Sequence, residues 1–131
     1  MTAPRRLAAA LLWALAAAAP ANASQPRIAV EPESFDFGAA RQNRTLTKEF
    51  QIRNFGTAEL VIGRITTSCG CTVSQMGDDD KRIAPGHSSP LRVSLDTRRD
   101  EGRVARRVLI ESNDPERSRV IVVVSATIVR E

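Results

Sequence analysis

After residue 26 the apolar residues of this chain fall in short alternating runs and never at the three-to-four spacing of a helix. Alternation at period two sends successive side chains to opposite faces of a strand, so the pattern predicts an all-β domain. Strands are expected at 27–30, 34–38, 45–54, 59–67, 91–95, 104–112 and 119–129. Phe35 and Phe37 share a face in the second, and Leu46, Phe50 and Ile52 share one in the third. Lys48 interrupts that inner row and marks the exposed end of the strand. Gly63 falls where the alternation slips between Ile62 and Ile65, which predicts a bulge. In the last strand, 120–124 is apolar on both faces, so this strand should be central or covered on both sides.

Turn residues separate the runs. The stretch 39–43 reads as a polar turn and 97–102 as a polar connection. Gly56 follows Asn54-Phe55 and is expected to supply a positive φ. Pro85-Gly86 is a turn dipeptide, and Asn113-Asp114 precede Pro115 in a turn whose side chains bond the local backbone. About seven short strands in roughly a hundred residues suggest a two-sheet, immunoglobulin-like β-sandwich. The pins of antibody domains are missing. The sandwich region holds no Trp or Tyr, and the two cysteines are too close in sequence to join two sheets.

The first residues follow another rule. Arg5-Arg6 precede an apolar stretch over 7–19, Pro20 breaks it, and Ala21-Asn22-Ala23 is a small-x-small site. That order predicts a secretory signal peptide over 1–23, cleaved after Ala23, with the sandwich domain over 24–131. The apolar stretch is too short to span a bilayer. The expected address is therefore the periplasm or the exterior, with no membrane span after cleavage. The formal charge of +4 drops to +2 once Arg5 and Arg6 are removed. With arginines alternating with acids and no aromatic after Phe55, nucleic acid is not an expected partner.

Cys69 and Cys71 are the only cysteines, and an exported pair enters an oxidising space. Three readings stand. A local disulfide needs the Cα atoms within about 4.4–6.8 Å, which requires a bend that Gly70 would ease. Two thiolates can hold a soft ion such as copper, with Met76 and His87 as the added ligands. A strained disulfide can also serve thiol redox chemistry, tuned by a cation such as Arg64 or Arg82. His87, next to a turn, reads otherwise as a solvated histidine. Asp78-Asp79-Asp80 lacks the alternating pattern of a calcium loop. The cluster Arg98, Arg99, Arg103, Arg106 and Arg107 reads as a charged edge that resists aggregation. One histidine among scattered serines and aspartates makes no triad, and no enzyme is expected.

Phe35-Asp36-Phe37-Gly38, Asn54-x-Gly56, Ser68-Cys69-Gly70-Cys71-Thr72, Pro85-Gly86 and Ser112-Asn113-Asp114-Pro115 occur in an order that resembles the bacterial domain-of-unknown-function family 1573. The resemblance covers roughly residues 30 to 128. It implies an exported immunoglobulin-like domain with a Cys-Gly-Cys-Thr motif, related to the sandwiches of the major sperm protein and hydin. It places the motif's cysteines at Cys69 and Cys71 and implies no catalytic residue. The expected role is a non-enzymatic binding or structural module with no cofactor, facing an unknown protein partner in the cell envelope. The alternative is copper binding or thiol redox through the cysteine pair.

Overall fold

A computed structural model describes residues 24–70 and 72–130. The expected signal peptide, its cleavage site and Cys71 lie outside the described residues. Among the described residues nine strands run in chain order: β1 Ile28–Glu31, β2 Ser34–Arg41, β3 Thr45–Asn54, β4 Leu60–Thr67, β5 Thr72–Gln75, β6 Arg82–Ile83, β7 Ser88–Asp96, β8 Gly102–Ser112 and β9 Arg119–Val129. They form two sheets, ordered β1-β3-β7-β5 and β2-β9-β8-β4-β6. The two strands beyond the expected seven, β5 and β6, are four and two residues long. Runs that short carry too little alternation to stand out in a sequence.

The alternation does what the sequence requires of it. Ile28, Val30, Phe50, Ile52, Leu91 and Val93 from one sheet meet Leu60, Ile62, Val108, Ile110, Val120, Val122 and Val124 from the other in the main core. A second cluster of Leu95, Val104, Ala126 and Ile128 lies toward one end, with Phe37, Ala40, Leu46 and Cys69 against it. Phe35 and Phe37 share a face as expected, edge to face with centroids 5.0 Å apart. Lys48 does not mark an exposed end. It is half-buried in the inner row of β3, and its Nζ lies 4.6 Å from the centre of the Phe35 ring. The apolar stem packs inward while the ring face receives the charge.

Several turn expectations change. The stretch 39–43 is not all turn, because β2 runs on to Arg41 after an irregularity between Asp36 and Ala39, with Gly38 at φ +77°. The connection after β7 is anchored by Thr97, which is wholly buried. Its Oγ1 donates toward the Arg41 and Arg44 carbonyls and accepts from the Arg44 amide. The expected bulge at Gly63 is present as a register shift between Ile62 and Ile65.

Gly56 is not in the left-handed region; the turn glycine that is, Gly86 at φ +80°, follows Pro85 in a turn closed by the His87 amide on the Ala84 carbonyl. Gly56 is needed for space instead. A Cβ there would run into the Gln25 carbonyl oxygen and lie 2.6 Å from the Arg27 nitrogen. Both are backbone atoms of the segment leading into β1, which bonds the same turn through Phe55 N to Arg27 O and Thr57 N to Gln25 O. Gly56→Ala is therefore expected to destabilise the domain by about 1–3 kcal/mol, the usual cost of forced overpacking. Urea titration should show a lower midpoint at unchanged slope; an unchanged midpoint would mean the leading segment is not held there.

Strand β9 is central, as expected, lying between β2 and β8, and part of its outer face is open. Val120, Val122, Val124, Ala126 and Ile128 face the core, while Ile121 is 52% exposed on the outer face.

Candidate functional site

The Cys-Gly-Cys stretch sits where the chain changes sheets. Strand β4 belongs to the five-stranded sheet and β5, which follows the motif, is the edge of the four-stranded one. The Thr72 amide donates to the Cys69 carbonyl at 3.2 Å, closing a tight turn, and Thr67 Oγ1 donates to the same oxygen at 3.2 Å. Gly70 is required neither by a positive φ nor by lack of space, since nothing lies within 4 Å of a Cβ placed on it. Cys69 is half-buried against the second core cluster and is disulfide-bonded. The chain has one other cysteine, Cys71. In this form Cys69 has no thiolate to offer a metal or an incoming disulfide.

The structure does not assemble the expected ligand set. Thr72 pairs with Leu95 and Gln75 with Arg92, which puts Met76 about 13 Å and His87 about 26 Å along β7 from the motif. His87 is exposed on the Pro85-Gly86 turn, whereas Met76 packs against the main core. Among the described residues no group of three or more His, Cys, Asp or Glu could hold a metal ion. Arg82 pairs with Glu59 at 3.0 Å beside Val61, at the far end of β4 from Cys69.

What the corner does position is a pair of sheet edges. β6 pairs with β4 only at Leu60 and Val61. Beyond that point no described strand pairs with the outer side of β4, beside which lies the short 3-10 turn Asp79–Lys81. The Ser68 amide donates to the Arg107 carbonyl at 3.0 Å, and the Arg107 amide returns a bond to Ser68 Oγ at 3.0 Å. Alternation along an antiparallel ladder then turns the backbone groups of Thr66 and Ser68 toward β8 and those of Ile65 and Thr67 away from it. No described residue takes up the latter. A cleft of about 370 Å³, lined in part by Gly63, Ile65, Ser74 and Gln75, separates this edge from that of β5.

The opposite edge of the same sheet is blunted. On β2 the Asp36 carboxylate accepts the Gly38 amide at 2.8 Å and Arg103 Nη1 at 2.7 Å. Both contacts, the arginine's first, hold that carboxyl below the usual range. An irregular, charged edge of this kind resists strand pairing.

Two polar residues hold the other end of the sandwich together. Asn54 is fully buried, with Oδ1 accepting from the Arg27 and Gly56 amides and Nδ2 donating to the Ala58 and Ile83 carbonyls. Asp114 is 1% exposed and accepts from the amides of Ile28, Glu116 and Arg117, with Arg27 Nη1 at 3.4 Å. Asn113 bonds β4 through the Val61 amide and the Glu59 carbonyl. The expected local turn bonds are present, and the same turn also ties β1 of the other sheet, a reach its local sequence does not announce.

The family model of DUF1573, described as a protein of unknown function, matches residues 28–128. The chain belongs to the DUF1573 family. No curated protein matches the sequence. Among solved structures, a protein of unknown function from Porphyromonas gingivalis W83 is 22% identical, with a TM-score of 0.68 over 79% of this chain and 47% of that one. This DUF1573 chain thus spans about half the length of that relative. The PapD-like ASH domain 7 of human CEP192 is 9% identical, with a TM-score of 0.59 over 82% of this chain and 88% of that one. WR4, a C. elegans MSP family member, is 9% identical at a TM-score of 0.50, over 78% and 97%. The likenesses establish an immunoglobulin-like sandwich shared with PapD-like and MSP domains. Among the described residues of this DUF1573 domain no helix is long and apolar enough to cross a membrane.

Proposed function

We propose that this domain is an exported, non-enzymatic protein-binding module that receives an extended segment of a partner as an added strand on β4. The observation that carries the reading is the open side of β4 beyond Val61, where the backbone of Ile65 and Thr67 faces away from β8 and β6 has already ended. Strand addition satisfies such groups with main-chain hydrogen bonds and leaves side-chain pockets to select the partner. The corner at Cys69 serves it by holding the end of β4 at the sheet crossing. The export reading rests on the leader pattern of residues 1–23.

Thr67→Pro tests the edge. Proline lacks the amide hydrogen, and at this position the amide faces outward, so no ladder bond within the sheet is lost. Thr67→Val controls for the hydroxyl bond to the Cys69 carbonyl. Panning the oxidised full chain against a display library of random peptides about ten residues long is expected to enrich extended, β-branched sequences. Thr67→Pro should abolish capture and Thr67→Val should keep it. Capture that survives the proline would assign binding to another surface.

A further inference from the structure

The outer face beside the open edge carries a second feature. Thr66, Thr67, Ser68, Arg107, Leu109 and Ile121 line an apolar groove of about 200 Å³. It follows from the ladder register. Thr66 pairs with Leu109 and Leu109 with Ile121, so these three form one outward row across β4, β8 and β9. The next row is Ser68, Arg107 and Val123, because Ser68 bonds Arg107 and Arg107 pairs with Val123. At the edge both rows end in small side chains, Thr66 and Ser68. A strand added there would lay its own outward residues directly beside the groove.

Arg107 is the charged member of this lining. Arg98, Arg103, Arg106 and Arg119 each lie within 4.0 Å of a carboxylate, on Asp96, Asp36, Asp100 and Glu111. Arg107 is exposed and has no such partner among the described residues. An unpaired guanidinium at the rim of an apolar groove is complementary to a carboxylate on whatever fills it.

We infer that the groove and Arg107 select the partner segment: an apolar side chain of the added strand reaches over Thr66 to Leu109 at the near side of the groove, and a carboxylate two positions away pairs with Arg107. The two-residue spacing follows because residues i and i+2 of a strand share a face and the two rows are one such step apart. A second copy of this chain fits poorly as the occupant. The outward side chains along its own open edge, Thr66 and Ser68, supply neither a large apolar group nor a carboxylate. The inference rests on strand addition at β4 and adds the chemistry that chooses the strand.

The test uses peptides enriched in the panning above, each synthesised with its acidic residue changed to Gln or Lys and its apolar residue changed to Ser. Affinities are measured by fluorescence anisotropy against wild type and Arg107→Glu. The acidic parent should bind wild type about tenfold or more tightly than the Gln peptide, and Arg107→Glu should reverse the preference toward the Lys peptide. Enriched peptides without an acid two positions from an apolar residue, or affinities indifferent to Arg107→Glu, would overturn the inference. If such peptides still lose binding to Thr67→Pro, strand addition stands and only the selection fails. If no peptide binds, or binding ignores the proline, both fail. A protein that runs as a dimer and becomes monomeric on Thr67→Pro would give the edge to a second copy and overturn the inference as well.

Discussion

Asn54→Asp is expected to cost the domain about 3–5 kcal/mol, the range for an uncompensated buried charge. The change alters one atom, yet it replaces a double donor with an acceptor. Asn54 Nδ2 lies 2.7 Å from the Ala58 carbonyl oxygen and 2.9 Å from that of Ile83. An aspartate would set a carboxylate oxygen against both, in a site with no solvent exposure. Ionised, it repels the two carbonyls; protonated, it can satisfy one of them and must hold a raised pKa to do so. The damage spreads because Asn54 joins the segment entering β1, the 54–58 turn and β6. For a domain of this size the loss corresponds to a melting temperature lower by at least ~12 °C. A thermal melt and a urea titration at neutral pH read it, and a change below about 1 kcal/mol would show that Asn54 is not the hub described.

Asp114→Asn should have an effect of similar size, about 3 kcal/mol, and a distinct pH signature. Burial pushes the Asp114 carboxyl up. The amides of Ile28, Glu116 and Arg117, then the Arg27 guanidinium, outweigh that and hold it below the ordinary value of 3.8. A group whose folded pKa is depressed contributes stability that is complete above its unfolded pKa and is lost as pH falls through the folded one. Wild type should therefore lose stability as pH drops below about 4, as the unfolded state takes up a proton the folded state resists. Asp114→Asn is neutral at every pH and should lack this component, so the gap between the two proteins should narrow steadily in acid. A constant gap from pH 7 to pH 3 would mean that the loss comes from packing and not from the charge.

Most of the sandwich was legible in the sequence because long strands with one buried face write their periodicity plainly. β3, β7, β8 and β9 are nine to eleven residues each, and their inner positions are the buried ones. The exceptions share a cause. Lys48 and Ile121 break the pattern according to what lies across from them, an aromatic ring in one case and open solvent in the other, and a single strand does not carry that information. Gly56 was visible as a turn glycine, but its role depends on the segment that crosses it, not on its own φ.

The site was less legible. The cysteine pair drew notice by its chemistry, yet its place at the crossing between sheets follows from topology. Met76 and His87 suggested ligands by residue type alone, and the register of β5 on β7 carries both away from Cys69. The groove formed by Thr66, Leu109 and Ile121 comes from three strands separated in sequence. Arg107 looks like any member of a basic cluster until the register sets it at the rim of that groove, with no carboxylate within ion-pair distance among the described residues.

The most direct test of the open edge is amide hydrogen exchange at Ile65 and Thr67, resolved by NMR in the free chain and with an enriched peptide bound. In the free protein both amides should exchange far faster than those of Thr66 and Ser68, which face β8, and both should become protected when the peptide binds. Protection of Ile65 and Thr67 already in the free protein, or no gain of protection on binding, would contradict strand addition at β4.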